Sequence, residues 1–295
     1  MSTSDRFDKF LRNITLTTAE REQATARGNN VAEKLHSHFY PSRAYNGDTK
    51  LLIGSHGKRT RVRPVRDVDI IFKMPPPMLG QYHRHSGNGQ SALLQVVKNV
   101  LLTRFPSTTI KGDGPVVKAE FSTGHTVEVV PAFAVPDSSQ YLIPHTQNGG
   151  KWALSSYMNE FDYLEKSDKS TDGQTRRLIK MIKIWQQANN VPIKSLCIEL
   201  RAINFLNKWE HAGKPSNWDD WMIRDFLQEL IVHVNNTCTI PGTEEEYKYG
   251  DKWLPKAKLA YANAQQACVH ESDKSSNLAE QHWIKVFGVQ FVRQP

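Results

Sequence analysis

The run Asp67-Val68-Asp69-Ile70-Ile71-Phe72 constrains this chain more than any other stretch. Its β-branched residues favour a strand. Residues two apart on a strand point the same way, so both carboxylates share one face and Val68 turns to the other. Like charges placed in this way repel, and the alternation needs a compensating partner. A divalent cation supplies one, since magnesium takes oxygen ligands and is held by one or two carboxylates together with substrate phosphates. A third carboxylate stands at Glu128, between Val127 and Val129 on a second predicted strand. If the two strands are neighbours, the three groups form the donor set of a two-metal site. In such a site ions about 3.5–4 Å apart clamp the attacking and leaving oxygens of phosphoryl transfer.

Upstream of the acidic pair, Gly54-Ser55 offers a phosphate cradle, with glycine admitting close approach of backbone amides and the serine hydroxyl adding a donor. A helix starting near His56 would add a favourable dipole. Lys58, Arg59, Arg61, Arg63 and Arg66 make the connection basic, which suits a triphosphate. Taken singly these signals are weak: Gly-Ser pairs are common, and Asp-x-Asp is more often a solvated edge or a turn. Their ordered combination is far more specific.

The 295 residues suit one large domain or two closely packed lobes. A net charge of +8 favours polyanionic partners, though many basic proteins have none. Cys197, Cys238 and Cys268 form no Cys-x-x-Cys pattern and read as buried, reduced thiols. The N-terminus has no apolar signal core and no stretch approaches a membrane span, so a cytoplasmic protein with no membrane partner is expected. A Walker-type phosphate loop and a Gly-x-Ser-x-Gly elbow are both absent, and Gly112-Asp113-Gly114 lacks the third glycine of a dinucleotide fingerprint.

Apolar spacings of three and four predict amphipathic helix over residues 4–39, with Thr17 and Thr18 either a break or an exposed middle. Strands are predicted at 50–53 and 67–72, and a hairpin at 116–121 and 126–130 around Thr123-Gly124-His125. A helix is predicted between them at 91–105. The Pro-, Gly- and His-rich stretch 74–89 reads as a loop that is mobile or functional rather than structural. From about residue 160 the pattern turns helical, with segments at 175–189, 193–209, 218–234, 253–269 and 278–287. An α+β catalytic lobe over 1–160 followed by a helical lobe over 161–295 is the expected organisation.

The order Gly54-Ser55, Arg59 and Thr60 leading to Pro64, then Asp67-Val68-Asp69-Ile70 and Val127-Glu128-Val129-Val130-Pro131-Ala132-Phe133 resembles the signature of the bacterial cGAS/DncV-like nucleotidyltransferases, of the polymerase-β-like superfamily. Tyr141-Leu142-Ile143-Pro144 with Gly150-Lys151-Trp152 adds to it. So does Lys183-Ile184-Trp185 leading to Lys194-Ser195-Leu196 and Glu199. The resemblance covers about residues 45–210. It implies a mixed-sheet nucleotidyltransferase lobe with a long N-terminal spine helix, packed on a C-terminal helical lobe across a cleft. It also implies synthesis of a cyclic di- or trinucleotide second messenger from nucleoside triphosphates, with release of pyrophosphate, for antiphage (CBASS) defence. A separate effector would sense the product, and a regulatory protein or phage-derived activator would be a further partner.

By position, the resemblance makes Asp67, Asp69 and Glu128 the catalytic ligands of Mg2+, with Mn2+ as a substitute. Gly54 and Ser55 would hold donor phosphates, and Lys183 and Ser195 would grip the triphosphate. The family's third acid is usually Asp, so Glu128 departs from the pattern, and Glu120 is its competitor. Without the resemblance, Lys183 reads as a solvated lysine on an amphipathic helix and Ser195 as an N-cap. His83 and His85 read as surface histidines, and Trp152 as core before base-stacking. Two rivals remain: transfer of a nucleotide to an RNA end or a protein acceptor, and a non-catalytic nucleic-acid-binding module.

Overall fold

The computed structural model describes residues 2–64, 67–155, 157–214, 218–243 and 245–292. Two helices, not one, open the chain: α1 (Thr3–Ile14) and α2 (Thr18–Phe39). Each starts with a capping box, Ser2 with Asp5 and Thr17 with Glu20, in which side chains satisfy amides a helix N-terminus leaves without partners. Thr17 is therefore the break, and it acts as an N-cap. The break lets the two helices serve different cores. Phe7, Phe10, Leu11 and Ile14 of α1 pack among the C-terminal helices, whereas Ala24, Val31, Ala32 and Leu35 of α2 pack on the sheet.

Among the described residues the sheet has seven strands: β1 (Lys50–Leu52), β2 (Asp67–Lys73), β3 (Thr109–Asp113), β4 (Val116–Glu120), β5 (Thr126–Ala134), β6 (Tyr141–His145) and β7 (Lys151–Ser155). Their order is β1-β2-β5-β4-β3, with β6 joined to β5 and β7 to β6. β2 and β5 run parallel, and the other pairs are antiparallel. One turn of helix, α3 (Gly54–Gly57), follows β1. The 74–89 stretch holds a short 3-10 turn (Pro76–Met78) and α4 (Leu79–His83), and its His83 and His85 are exposed. Next comes α5 (Gly89–Arg104), which joins α2 on the sheet.

Alternation along β2 and β5 divides two environments. Val68, Ile70, Phe72, Val127 and Val129 are wholly buried under α2 and α5. The opposite face carries Asp67, Asp69 and Glu128, and beyond them a small apolar cluster of Ile53, Ile71, Val130, Ala132 and Ile143. Trp152 flanks the sheet core, packed edge-on against Phe133 and beside His83.

The second core gathers α6 (Tyr157–Ser170), α7 (Gln174–Ala188), α8 (Ser195–Leu206), α9 (Asp219–Val232), α10 (Leu254–Ser272) and α11 (Ser276–Phe287) around α1. Trp185, Trp253 and Trp283 lie wholly inside it. Truncating one such ring to alanine costs about 3–5 kcal/mol. A two-stranded hairpin, β8 (Thr237–Thr239) with β9 (Glu246–Lys248), closes one end. All three cysteines are free and buried, with the Cys197 and Cys238 sulfurs 2.8 Å apart. Among the described residues, no helix is long and apolar enough to cross a membrane.

Candidate active site

The register of the parallel pair β2/β5 sets the acidic face. Asp69 stands opposite Glu128, and Asp67 opposite Thr126. Neighbouring strands are about 4.8 Å apart, so Asp69 and Glu128 are side by side and Asp67 is two positions along. Glu120 stands across from Thr126 on β4, which places β5 between it and the aspartates. The register thus sets Glu128, not Glu120, beside the aspartate pair.

These carboxylates are electrostatically frustrated. Burial, reinforced by the charges of Glu128 and Asp67, pushes Asp69 up to about 6. Burial also raises Glu128, against the Lys118 amine 3.7 Å away. The Arg61 guanidinium lies 3.7 Å from Asp67. Three oxygen-donor groups on one face, one of them pushed toward its neutral form by burial and by its neighbours, suit a hard divalent cation. Among the described residues, no three acidic, histidine or cysteine side chains are gathered closely enough to hold an ion.

Gly54 is required here for two reasons. Its φ of +59° belongs to the left-handed region, and a Cβ would collide with the Asp69 carboxylate. The dipeptide is thus tied to the acidic pair by direct packing, an interaction that spacing in the sequence does not reveal. Ser55 follows in the single turn of α3, and its carbonyl accepts from the amides of Thr60 and Arg61 at 2.9 and 3.0 Å.

The basic residues of this loop divide. Lys58 turns inward, 2.6 Å from Glu199 and 3.1 Å from Glu160. Arg61 lines the cleft. Arg63 pairs with Glu20 of α2. Arg59, at a left-handed φ of 58°, lines a separate cavity behind the loop. Arg66 lies outside the described residues.

From the helical lobe, α7 brings Lys183 and α8 brings Ser195 to a cavity of about 250 Å3 that Ser55, Arg61, Asp69 and Glu199 also line. Lys183 is not a solvated surface lysine. It is buried, 2.5 Å from Glu199 and 2.9 Å from the Thr60 hydroxyl. Ser195 is not an N-cap either. Lys194 occupies that position, and the Ser195 hydroxyl donates to Gln186 Oε1 at 2.9 Å.

Sequence reasoning gave no role to the cluster that fixes the cations. Burial works to raise Glu199, but the ammonium groups of Lys183 and Lys58 outweigh it and hold it down at about 2. Thr60 donates to the same carboxylate at 3.1 Å. In the sequence Glu199 carries a signal only within the Lys-Ser-Leu resemblance and Glu160 carries none, because an acid on a helix face reads as solvated. A second cavity of about 270 Å3 shares Lys58 and Leu196 with the first and is lined by Ile143, His145, Tyr157 and Tyr247.

A model of the Second Messenger Oligonucleotide or Dinucleotide Synthetase domain matches residues 1–167. A probable cyclic nucleotide synthase of Bacillus cereus (strain VD146) is 22% identical over 282 residues, covering 84% of this chain and 83% of that protein. Among solved structures, the Vibrio cholerae DncV cyclic AMP-GMP synthase with a linear intermediate superposes with a TM-score of 0.75 at 15% identity, over 98% of this chain and 95% of that one. The E. coli MS115-1 CdnC:HORMA-deltaN complex gives 0.65 at 16% identity, over 97% of both chains. At such identities the two structures establish the fold: a mixed-sheet nucleotidyltransferase lobe packed on helices.

Proposed function

From the premise that this chain belongs to the Second Messenger Oligonucleotide or Dinucleotide Synthetase family, and so is a nucleotidyltransferase, we propose that it joins two or three nucleoside triphosphates into a cyclic oligonucleotide with release of pyrophosphate. The observation that carries this reading is the Asp69–Glu128 register, with Asp67 on the same face and Ser55, Lys183 and Ser195 around the adjoining cavity. In each step a ribose hydroxyl oxygen bonds to the α-phosphorus of a donor, and the bond from that phosphorus to the β-phosphate bridge breaks. The hydroxyl proton is lost to solvent or a base, and pyrophosphate carries away the bonding pair. The linear product then re-enters with its ends exchanged and closes by the same chemistry. The Vibrio relative was solved with such a linear species, which supports a two-stage course.

Asp67, Asp69 and Glu128 are the residues that would hold magnesium or manganese, which when bound acidifies the attacking hydroxyl and neutralises the leaving charge. Ser55 and Ser195 would donate to the phosphates. Lys183 would present a fixed charge, its amine pinned by Glu199 and Thr60, so that catalysis rests mainly on positioning and charge neutralisation. Tyr157 and Tyr247 offer rings for a base in the second cavity. We divide the chain into a catalytic lobe over 1–160 and a helical lobe over 161–295, with α1 packed into the second core.

A regulatory protein is a further proposed partner, motivated by the HORMA complex of the E. coli relative. A role in antiphage signalling from the cytoplasm, with a separate effector sensing the product, completes the proposal. The decisive experiment is mass spectrometry of products made from all four triphosphates with magnesium or manganese and no added acceptor. Cyclic products that vanish with chelator support it. Label appearing only when RNA or protein acceptor is added would favour the other transferase reading.

A further inference from the structure

A further cavity adjoins the loop that carries Ser55. It measures about 540 Å3 and is lined by Arg21 of α2, His56, Arg59 and Arg61 of the loop, and Arg176 and Lys180 of α7. Of the residues that line the cleft, it shares Arg61 alone. Five of its side chains are cationic and none is acidic. Some of this charge is already matched. Arg176 is bound to Asp168 and Glu165, Arg61 is near Asp67, and Arg21 donates to the Leu16 carbonyl. The rest is not: among the described residues, neither Arg59 nor Lys180 has a carboxylate within ion-pair distance, and Arg59 holds a left-handed conformation uncommon for its type. Burial, with the charges of Arg21 and Arg176, lowers the basicity of the Lys180 amine. His56 is more than nine-tenths buried, and its Nε2 has no hydrogen-bond partner among the described residues.

A concentration of like charge around a recess is unfavourable unless a ligand of opposite charge completes it. The volume falls in the range of small-molecule sites. Guanidinium groups favour planar, bidentate recognition of phosphate oxygens, and an ammonium adds a point charge. We infer that this cavity is a second anion site, built for the oligophosphate chain of a small molecule and distinct from the cleft where nucleotides would react. The chain could be free oligophosphate or the tail of a nucleotide, and the inference does not depend on nucleotidyl transfer.

Titration calorimetry on the full chain in chelator tests it, with inorganic tripolyphosphate and ATP as separate probes. Tripolyphosphate should bind, and Arg59→Ala with Lys180→Ala should weaken it at least about tenfold while leaving the melting curve unchanged. Equal affinity for ATP assigns the phosphate chain alone, and tighter binding of ATP, also lost in the double variant, assigns a nucleotide. The inference is overturned if wild-type protein does not bind or if the double variant binds like wild type. Displacement of the probe by duplex DNA with affinity rising with duplex length would overturn it in favour of a nucleic-acid groove.

Discussion

Asp69 and Glu199 line the same cavity, one from the sheet lobe and the other from the helical lobe, yet their charges are treated in opposite ways. Asp69 is pushed up to about 6 by burial and by the carboxylates beside it, whereas Glu199, itself buried, is clasped by Lys58 and Lys183 and held down at about 2. The sheet side therefore keeps a negative charge in want of a partner. The helical side has spent its negative charge in fixing two cations. The first arrangement suits a ligand that arrives, the second a group that must already be in place. The contrast separates residues that would hold an ion from a residue that positions others.

Removing the frustrated side should produce the largest effect. Asp67→Asn with Asp69→Asn is expected to lower synthesis on the order of a thousandfold or more, the scale of losing one electrostatic element of an active site. The fold should persist, because these side chains pack no core. Product formation by the double variant at wild-type rate would end the comparison.

The next test concerns membership of the frustrated group. Glu128→Gln should lose activity on the order of a hundredfold, Glu128→Asp should retain a measurable part, and Glu120→Gln should stay within a few-fold of wild type. The register is the reason, since Glu128 adjoins Asp69 and Glu120 does not. A dead Glu120→Gln with an active Glu128→Gln would reverse the assignment.

On the satisfied side, Glu199→Gln leaves two buried lysines without their shared counter-charge. Stability should fall by about 3–5 kcal/mol at pH 7 in a denaturant titration. KM for triphosphates should rise through the displaced Lys183, while Glu199→Asp restores part of both. A KM that stays fixed while stability drops would make the residue purely structural.

The pH dependences should run in opposite directions. Glu199 is depressed from an ordinary 4.5, so its contribution is full above about pH 4.5 and is lost as pH falls toward 2. Asp69 is raised from 3.8, so the folded state is favoured below that value and penalised as pH rises through 6. In chelator, Asp69→Asn should melt a few degrees above wild type at pH 7, with the gap closing near pH 4. A variant less stable than wild type at pH 7 would show that repulsion does not dominate this face.

Ser195→Ala should have the smallest effect, a rise of several-fold in KM for triphosphate with little change in melting temperature. Among the described residues its hydroxyl bonds Gln186 and caps no helix amide, so the loss should appear in kinetics. A lower melting temperature with unchanged kinetics would leave the hydroxyl a role only in packing against Gln186.

Much of this protein could be read from the sequence because the signals are local. Alternation in 67–72 and 126–130, apolar spacing in 91–105 and 175–189, and the shift to helix near 160 follow from periodicities that need no distant partner. The ordered Gly-Ser, Asp-x-Asp and Val-Glu-Val elements carried the resemblance for the same reason. β3 escaped because its one buried residue, Ile110, makes no pattern on an edge strand. Thr17 by its identity suits either a helix break or an exposed position, and the hydrogen bond its side chain accepts from the Glu20 amide decides for the break.

Tertiary structure alone decided the rest. Only the β2/β5 pairing sets Glu128 beside Asp69, because register is a relation between two segments and neither encodes it by itself. Whether Lys183 faces water or lies buried against Glu199 depends on how α7 meets α8 and the Ser55 loop. Desolvation and the distance to an opposite charge fix the state of an ionisable side chain, and both are properties of the packed molecule.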